Sequence, residues 1–135
     1  MNIAAAEGGC HCGAIRYTIE AGEVDSAYCH CRMCQQMSGA PTVAWISVAA
    51  VRFHYLKGKP KIYRSSPHAV REFCGGCGAP VLFRPDSGGT VDVPIATLDD
   101  PTIAPPQYHI WRMSRIDWFE TTDHLPRHED QGPDL

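Results

Sequence analysis

The sequence predicts a mainly β domain of short antiparallel strands organised around bound metal. Three observations carry this. Eleven prolines and twelve glycines punctuate 135 residues and leave little room for long helices. Short apolar stretches alternate with polar residues at the period of a half-buried strand. Seven cysteines fall into three tight clusters, Cys10-His-Cys12, Cys29-His-Cys31-Arg-Met-Cys34 and Cys74-Gly-Gly-Cys77.

The elements follow in order. Ile15, Tyr17 and Ile19 alternate with Arg16, Thr18 and Glu20, so this stretch reads as a strand with one buried face. Further strands are expected over residues 42–46, 51–56, 70–73, 80–83, 91–96 and 109–111, each short and rich in β-branched or aromatic residues. Pro94 lacks a backbone donor, which predicts an edge or a bulge for its strand. One short helix is expected over residues 32–37. Gly39 ends it, and Pro41 forbids extension. Residues 1–125 read as a single zinc-containing β domain, and 126–135, "PRHEDQGPDL", as a loose polar C-terminal tail. Trp45, Trp111 and Trp118 read as core residues.

Composition bounds the function. Hydrophobic content of 44% with 20% charged residues fits a globular chain, and 135 residues fit one domain. A net charge of −3 without a Lys/Arg run excludes the electrostatic footprint of a nucleic-acid partner. No apolar run approaches the roughly 20 residues of a membrane span. The start, "MNIAAAEGGC", does not read as a secretory leader, so a cytoplasmic protein is expected. In a reducing compartment, clustered thiols point to metal before disulfides.

The clusters divide in a natural way. Cys10 and Cys12, two residues apart in an extended segment, point to one face, and His11 points away. Cys74 and Cys77 form a knuckle whose glycines suit a tight turn. Joined, these four make a closed four-sulfur site, the pattern of structural zinc. Cys29, Cys31 and Cys34 make a three-thiol set with an open position, the pattern of a catalytic zinc. Spacing alone leaves alternatives. The three thiols could be reduced core cysteines, or members of that set could join Cys74 and Cys77. His30 could supply the fourth ligand, although alternation turns it away. His11, His54 and His68 read as surface residues.

The motifs "GGCHCGAIRY" (residues 8–17), "CHCRMCQQMSGAP" (29–41), "FCGGCGAPV" (73–81), "PQYHIWRMSRIDWFE" (106–120) and "LPRHE" (125–129) resemble the glutathione-dependent formaldehyde-activating enzyme family over nearly the whole chain. The resemblance implies a zinc-containing β-tent fold. It implies two Zn2+ ions per chain, one structural, on Cys10, Cys12, Cys74 and Cys77, and a second on Cys29, Cys31 and Cys34. It also implies a carbon–sulfur lyase of the S-(hydroxymethyl)glutathione synthase type, which adds glutathione or a similar small thiol to formaldehyde or another small aldehyde. Three thiolates around Zn2+ carry a net negative charge, so an anionic tripeptide needs a compensating cation there, with Arg32, Lys57, Lys59, Lys61, Arg64 and Arg71 as candidates. The rival readings are a thiol-binding module without turnover and a zinc-stabilised interaction domain.

Overall fold

The computed structural model describes residues 1–133. The chain runs β1 (Asn2–Ile3), β2 (Ala6–Gly9), β3 (Arg16–Ile19), β4 (Gly22–Glu23), β5 (Asp25–Cys29), α1 (Arg32–Ser38), β6 (Val43–Ala49), β7 (Phe53–Lys57), β8 (Lys61–Ser66), β9 (Ala69–Phe73), β10 (Pro80–Pro85), β11 (Thr90–Pro94) and β12 (Tyr108–Ile110). A seven-stranded sheet has the order β12-β5-β6-β11-β10-β9-β8, beside a three-stranded sheet β2-β3-β7 and the pair β1-β4. The pairings are antiparallel except β12 on β5, which is parallel.

The alternation read from the sequence separates two environments. Ile46 and Val48 of β6 and Val91 and Val93 of β11 are almost fully buried, and they join Tyr17 and Ile19 of β3 in the main core. Each such side chain contributes about 1.5–3 kcal/mol when removed from water. The intervening residues, Trp45 and Ser47 on β6 and Asp92 on β11, belong to the opposite face. Register then builds a row across that face: Asp25 pairs with Ser47, Ser47 with Asp92, Asp92 with Phe83, and Phe83 with Arg71.

Helix α1 crosses this second face and packs on β6. It starts where Cys31 leaves the extended conformation and stops at Gly39, whose φ of 71° requires a residue without a side chain. The Gly39 N–H caps the Gln35 carbonyl at 2.8 Å.

Three expectations are corrected. Pro94 lies in β11, an interior strand, and is neither at an edge nor at a bulge. It is tolerated because it is the last residue of that strand, where the chain turns into the 3-10 segment Ile95–Thr97. Residues 126–130 of the C-terminal stretch are not loose but hydrogen-bonded to β12 and the residues that follow it. His109 N–H donates to the Pro126 carbonyl at 2.8 Å, His128 N–H to His109 at 2.9 Å, and Trp111 N–H to Asp130 at 2.8 Å. Its polarity misleads because the backbone, and not apolar side chains, attaches it to β12. Residues 134–135 of that stretch lie outside the described residues. Trp118 is 73% exposed and is not core, whereas Trp45 is buried and Trp111 packs against it. Strands β1, β2, β4, β5 and β8 were not legible. β8 is an edge strand exposed over most of its length, so no periodic burial shaped its sequence.

Candidate functional site

Cys10 follows β2 and Cys74 follows β9, so the two sheets bring together residues far apart in sequence. The sulfurs of Cys10 and Cys12 lie 3.6 Å apart, those of Cys12 and Cys74 3.7 Å, and all four sulfurs, with Cys77, lie within 4.8 Å of one another. Tetrahedral Zn–S bonds of about 2.3 Å give sulfur edges of roughly 3.8 Å, so this set fits such an ion. Backbone N–H groups converge on the sulfurs: Ile15 on Cys10 at 3.2 Å, and Gly76 and Cys77 on Cys74 at 3.3 and 3.5 Å. N–H donors of this kind suit metal-bound sulfur, which carries negative charge. Cys10 and Cys12 converge through a turn, closed by Gly13 N–H on the Cys10 carbonyl at 3.3 Å, and not through strand alternation.

The second set is local. Cys29 ends β5, Cys31 is the N-cap of α1, and Cys34 sits in its first turn. The Cys34 N–H donates to the Cys31 sulfur at 3.3 Å, and the Cys34 and Cys29 sulfurs are 3.5 Å apart. The three ligand atoms lie within 4.8 Å of one another, so this trio also fits a metal and leaves one coordination position unfilled by cysteine. Hydrogen bonds from Cys29 and Cys34 push the Cys31 thiol well below its usual range.

The frame around the trio is tied down. The Gln35 amide donates to the carbonyls of His30 at 2.8 Å and Ser114 at 3.1 Å, and Thr42 hydroxyl donates to the Cys29 carbonyl at 2.8 Å. His30 turns away from the sulfurs, as alternation requires. It is fully buried, its Nε2 lies 2.8 Å from Nδ1 of His109, and the two rings stack at 5.1 Å. His109 continues to Asp123 at 3.0 Å. Burial, with His109 beside it, lowers the His30 pKa to about 4, so the ring is neutral. His11, His54 and His68 are on the surface.

The trio opens on a cavity of about 530 Å³. Trp45, Phe83 and Trp111 supply apolar walls, with Met33 from α1. Two of the three tryptophans are thus platform as well as packing. Among the six basic residues considered from the sequence, Arg71 is the one that lines this cavity. It is 7% exposed, its guanidinium carbon lies 5.1 Å from the Phe83 ring centroid and 5.7 Å from that of Trp45, and Nη2 is 3.7 Å from the Cys34 sulfur. Its Nε has no hydrogen-bond partner. Arg32 instead donates to the Gln35 side chain, and Arg64 pairs with Asp86. Gln36 and Ser38 face solvent.

Asp25 and Asp92 also line the cavity, and sequence reasoning missed both. Asp25 accepts from the Tyr108 hydroxyl and Asp92 from the Ser47 hydroxyl. Burial raises the Asp92 carboxyl to about 6. No local motif marks these residues, because they meet only through strand register.

The family model described as glutathione-dependent formaldehyde-activating enzyme matches residues 5–114. That span includes all seven cysteines, Arg71 and both aspartates. A protein of Rhodobacter sphaeroides with a solved crystal structure is similar in fold, with a TM-score of 0.58 at 23% identity over 69% of this chain and 87% of that one.

Proposed function

The chain belongs to the glutathione-dependent formaldehyde-activating enzyme family, and from that premise we propose that it joins a small thiol, glutathione or a relative of it, to formaldehyde or another small aldehyde, giving an S-hydroxymethyl adduct. The observation that carries the reading is the three-cysteine set, Cys29, Cys31 and Cys34, facing a cavity with no fourth protein ligand among the described residues. In this reading each cysteine set holds a zinc ion. Cys10, Cys12, Cys74 and Cys77 keep theirs as a cross-link of the fold. Zinc held by Cys29, Cys31 and Cys34 supplies a Lewis acid that makes an entering thiol more acidic.

The chain's own residues do the rest. The trio stays rigid because Gln35 and Thr42 pin the backbone on which it stands. Arg71 balances the negative charge of three thiolates with a divalent ion, and its guanidinium provides donors for the oxygen anion of the adduct. Trp45, Phe83 and Trp111 keep bulk water from this end of the cavity, which strengthens that electrostatic effect. The chemistry balances simply. The thiol gives up its proton, its sulfur pair forms the C–S bond, the C=O π pair moves to oxygen, and the oxygen takes up a proton.

The test is turnover of a thiol and formaldehyde by metal-quantified protein, with the spontaneous rate subtracted. Formation of adduct well above that rate supports the reading. Protein with both cysteine sets loaded that never exceeds the spontaneous rate, with any small thiol, would sink it.

A further inference from the structure

The cavity beside Cys29, Cys31 and Cys34 has opposite charges at its two ends. At one end Arg71, 7% exposed and with Nε unpartnered, reaches the Cys34 sulfur. At the other, Asp25 and Asp92 flank Ser47 on three adjacent strands, β5, β6 and β11, and all three line the cavity wall. Among the described residues neither aspartate forms an ion pair with a lysine, arginine or histidine, and Arg71 has no carboxylate partner. Hydroxyl groups of Tyr108 and Ser47 orient the two carboxylates without neutralising them.

Such an arrangement is costly in an empty protein. Charges removed from water are retained where a partner arrives to meet them. Register places the carboxylates in the same row as Arg71, with Phe83 between. The strand spacing of about 4.8 Å puts the Asp92 backbone roughly 10 Å from that of Arg71. A ligand lying along the row meets the arginine and the thiols with its sulfur, and the carboxylates with its other end.

We propose that the thiol accepted by Cys29, Cys31 and Cys34 carries an ammonium group, and that Asp25 and Asp92 bind it. This rests on the reading of the trio as an open thiol site. An ammonium is a compact charge with three donors, which suits two carboxylates presented from the strands on either side of β6. A thiol whose far end is a carboxylate would meet like charge there, and one ending in a hydroxyl would gain only neutral hydrogen bonds. The aspartates therefore determine which thiols enter, and Arg71 serves the reacting end.

The experiment uses the protein with cobalt in place of zinc, whose visible spectrum reports entry of sulfur. Aminoalkanethiols of increasing length are titrated against hydroxyalkanethiols and mercaptoalkanoates of the same lengths. At the best length the amino compound should bind about tenfold tighter than its hydroxy analogue, and the mercaptoalkanoate weakest. In Asp25→Asn and in Asp92→Asn the amino-to-hydroxy ratio should fall toward one. Comparison of wild type with variants cancels the different acidities of the thiols themselves. An unchanged ratio in both variants, or tightest binding by the mercaptoalkanoates, overturns the assignment of Asp25 and Asp92. Hydroxyalkanethiol binding without any ammonium preference overturns the proposal and leaves the open thiol site standing. No spectral response to any thiol overturns both.

Discussion

Nη2 of Arg71 lies 3.7 Å from the sulfur of Cys34, although the two residues are 37 apart in sequence. The guanidinium is enclosed by Trp45 and Phe83, which leaves the cysteine trio and the cavity as its electrostatic partners. Buried arginine without a carboxylate is uncommon because desolvation of the charge is expensive. Here the cysteine trio beside it would compensate it once its thiols are ionised.

Arg71→Met should keep the apolar packing of the side chain and remove the charge. Thiol affinity of the cobalt-loaded protein should fall by about ten- to a hundredfold, matching the roughly 1.5–3 kcal/mol of a charge-assisted hydrogen bond. Titration of wild type and variant measures this. Equal affinities would show that Arg71 has no part in binding.

The two cysteine sets should respond differently to loss of one ligand. Cys74→Ala removes one sulfur of a set drawn from distant segments, and a metal held there would contribute on the order of 10 kcal/mol, comparable to the whole stability of a domain. It should abolish cooperative unfolding. Cys31→Ala affects a local set, so the fold should persist with one ion in place of two, and adduct formation should disappear. Native mass spectrometry and thermal melts read both effects. Identical melts for the two variants would contradict the division of labour.

Asp92 should make the protein less stable as pH rises. Burial first, then nearby negative groups, raise its carboxyl from 3.8 to about 6 in the folded state. Between those values the folded chain holds the proton more firmly than the unfolded one, so stability falls as pH increases through that window. Asp92→Asn cannot ionise, and Asn still accepts from the Ser47 hydroxyl. The variant should be more stable than wild type above about pH 6, by on the order of 2 kcal/mol, and should lose that advantage near pH 4. Denaturant melts across this range test the sign. A variant no more stable than wild type at neutral pH would refute it.

Removal of residues 126–135 should lower the melting temperature by several degrees. The cut deletes the backbone hydrogen bonds that Pro126, His128 and Asp130 make with His109, Trp111 and Arg112, each worth about 1 kcal/mol. It also uncovers the edge of β12. An unchanged melt would mean that this segment adds nothing to stability.

The sequence alone determined the features that are local. Cysteines two or three residues apart can share an ion whatever the rest of the chain does, so the pairs Cys10–Cys12 and Cys74–Cys77 and the trio Cys29, Cys31 and Cys34 were readable from spacing. The stop of α1 was legible because Gly39 adopts a conformation that only a residue without Cβ takes freely. Strands such as β3 were legible because one face is buried and the other is not. Tertiary structure alone decided what surrounds the trio. Arg71 looked no different from Arg64 in sequence, yet β9 points one into the cavity and β8 leaves the other on the surface. Trp45 and Trp118 were indistinguishable by type, and only packing separated them. Asp25 and Asp92 are 67 residues apart and meet through the register of β5, β6 and β11. Register is set by the packing of whole sheet faces, and no short stretch of sequence contains it.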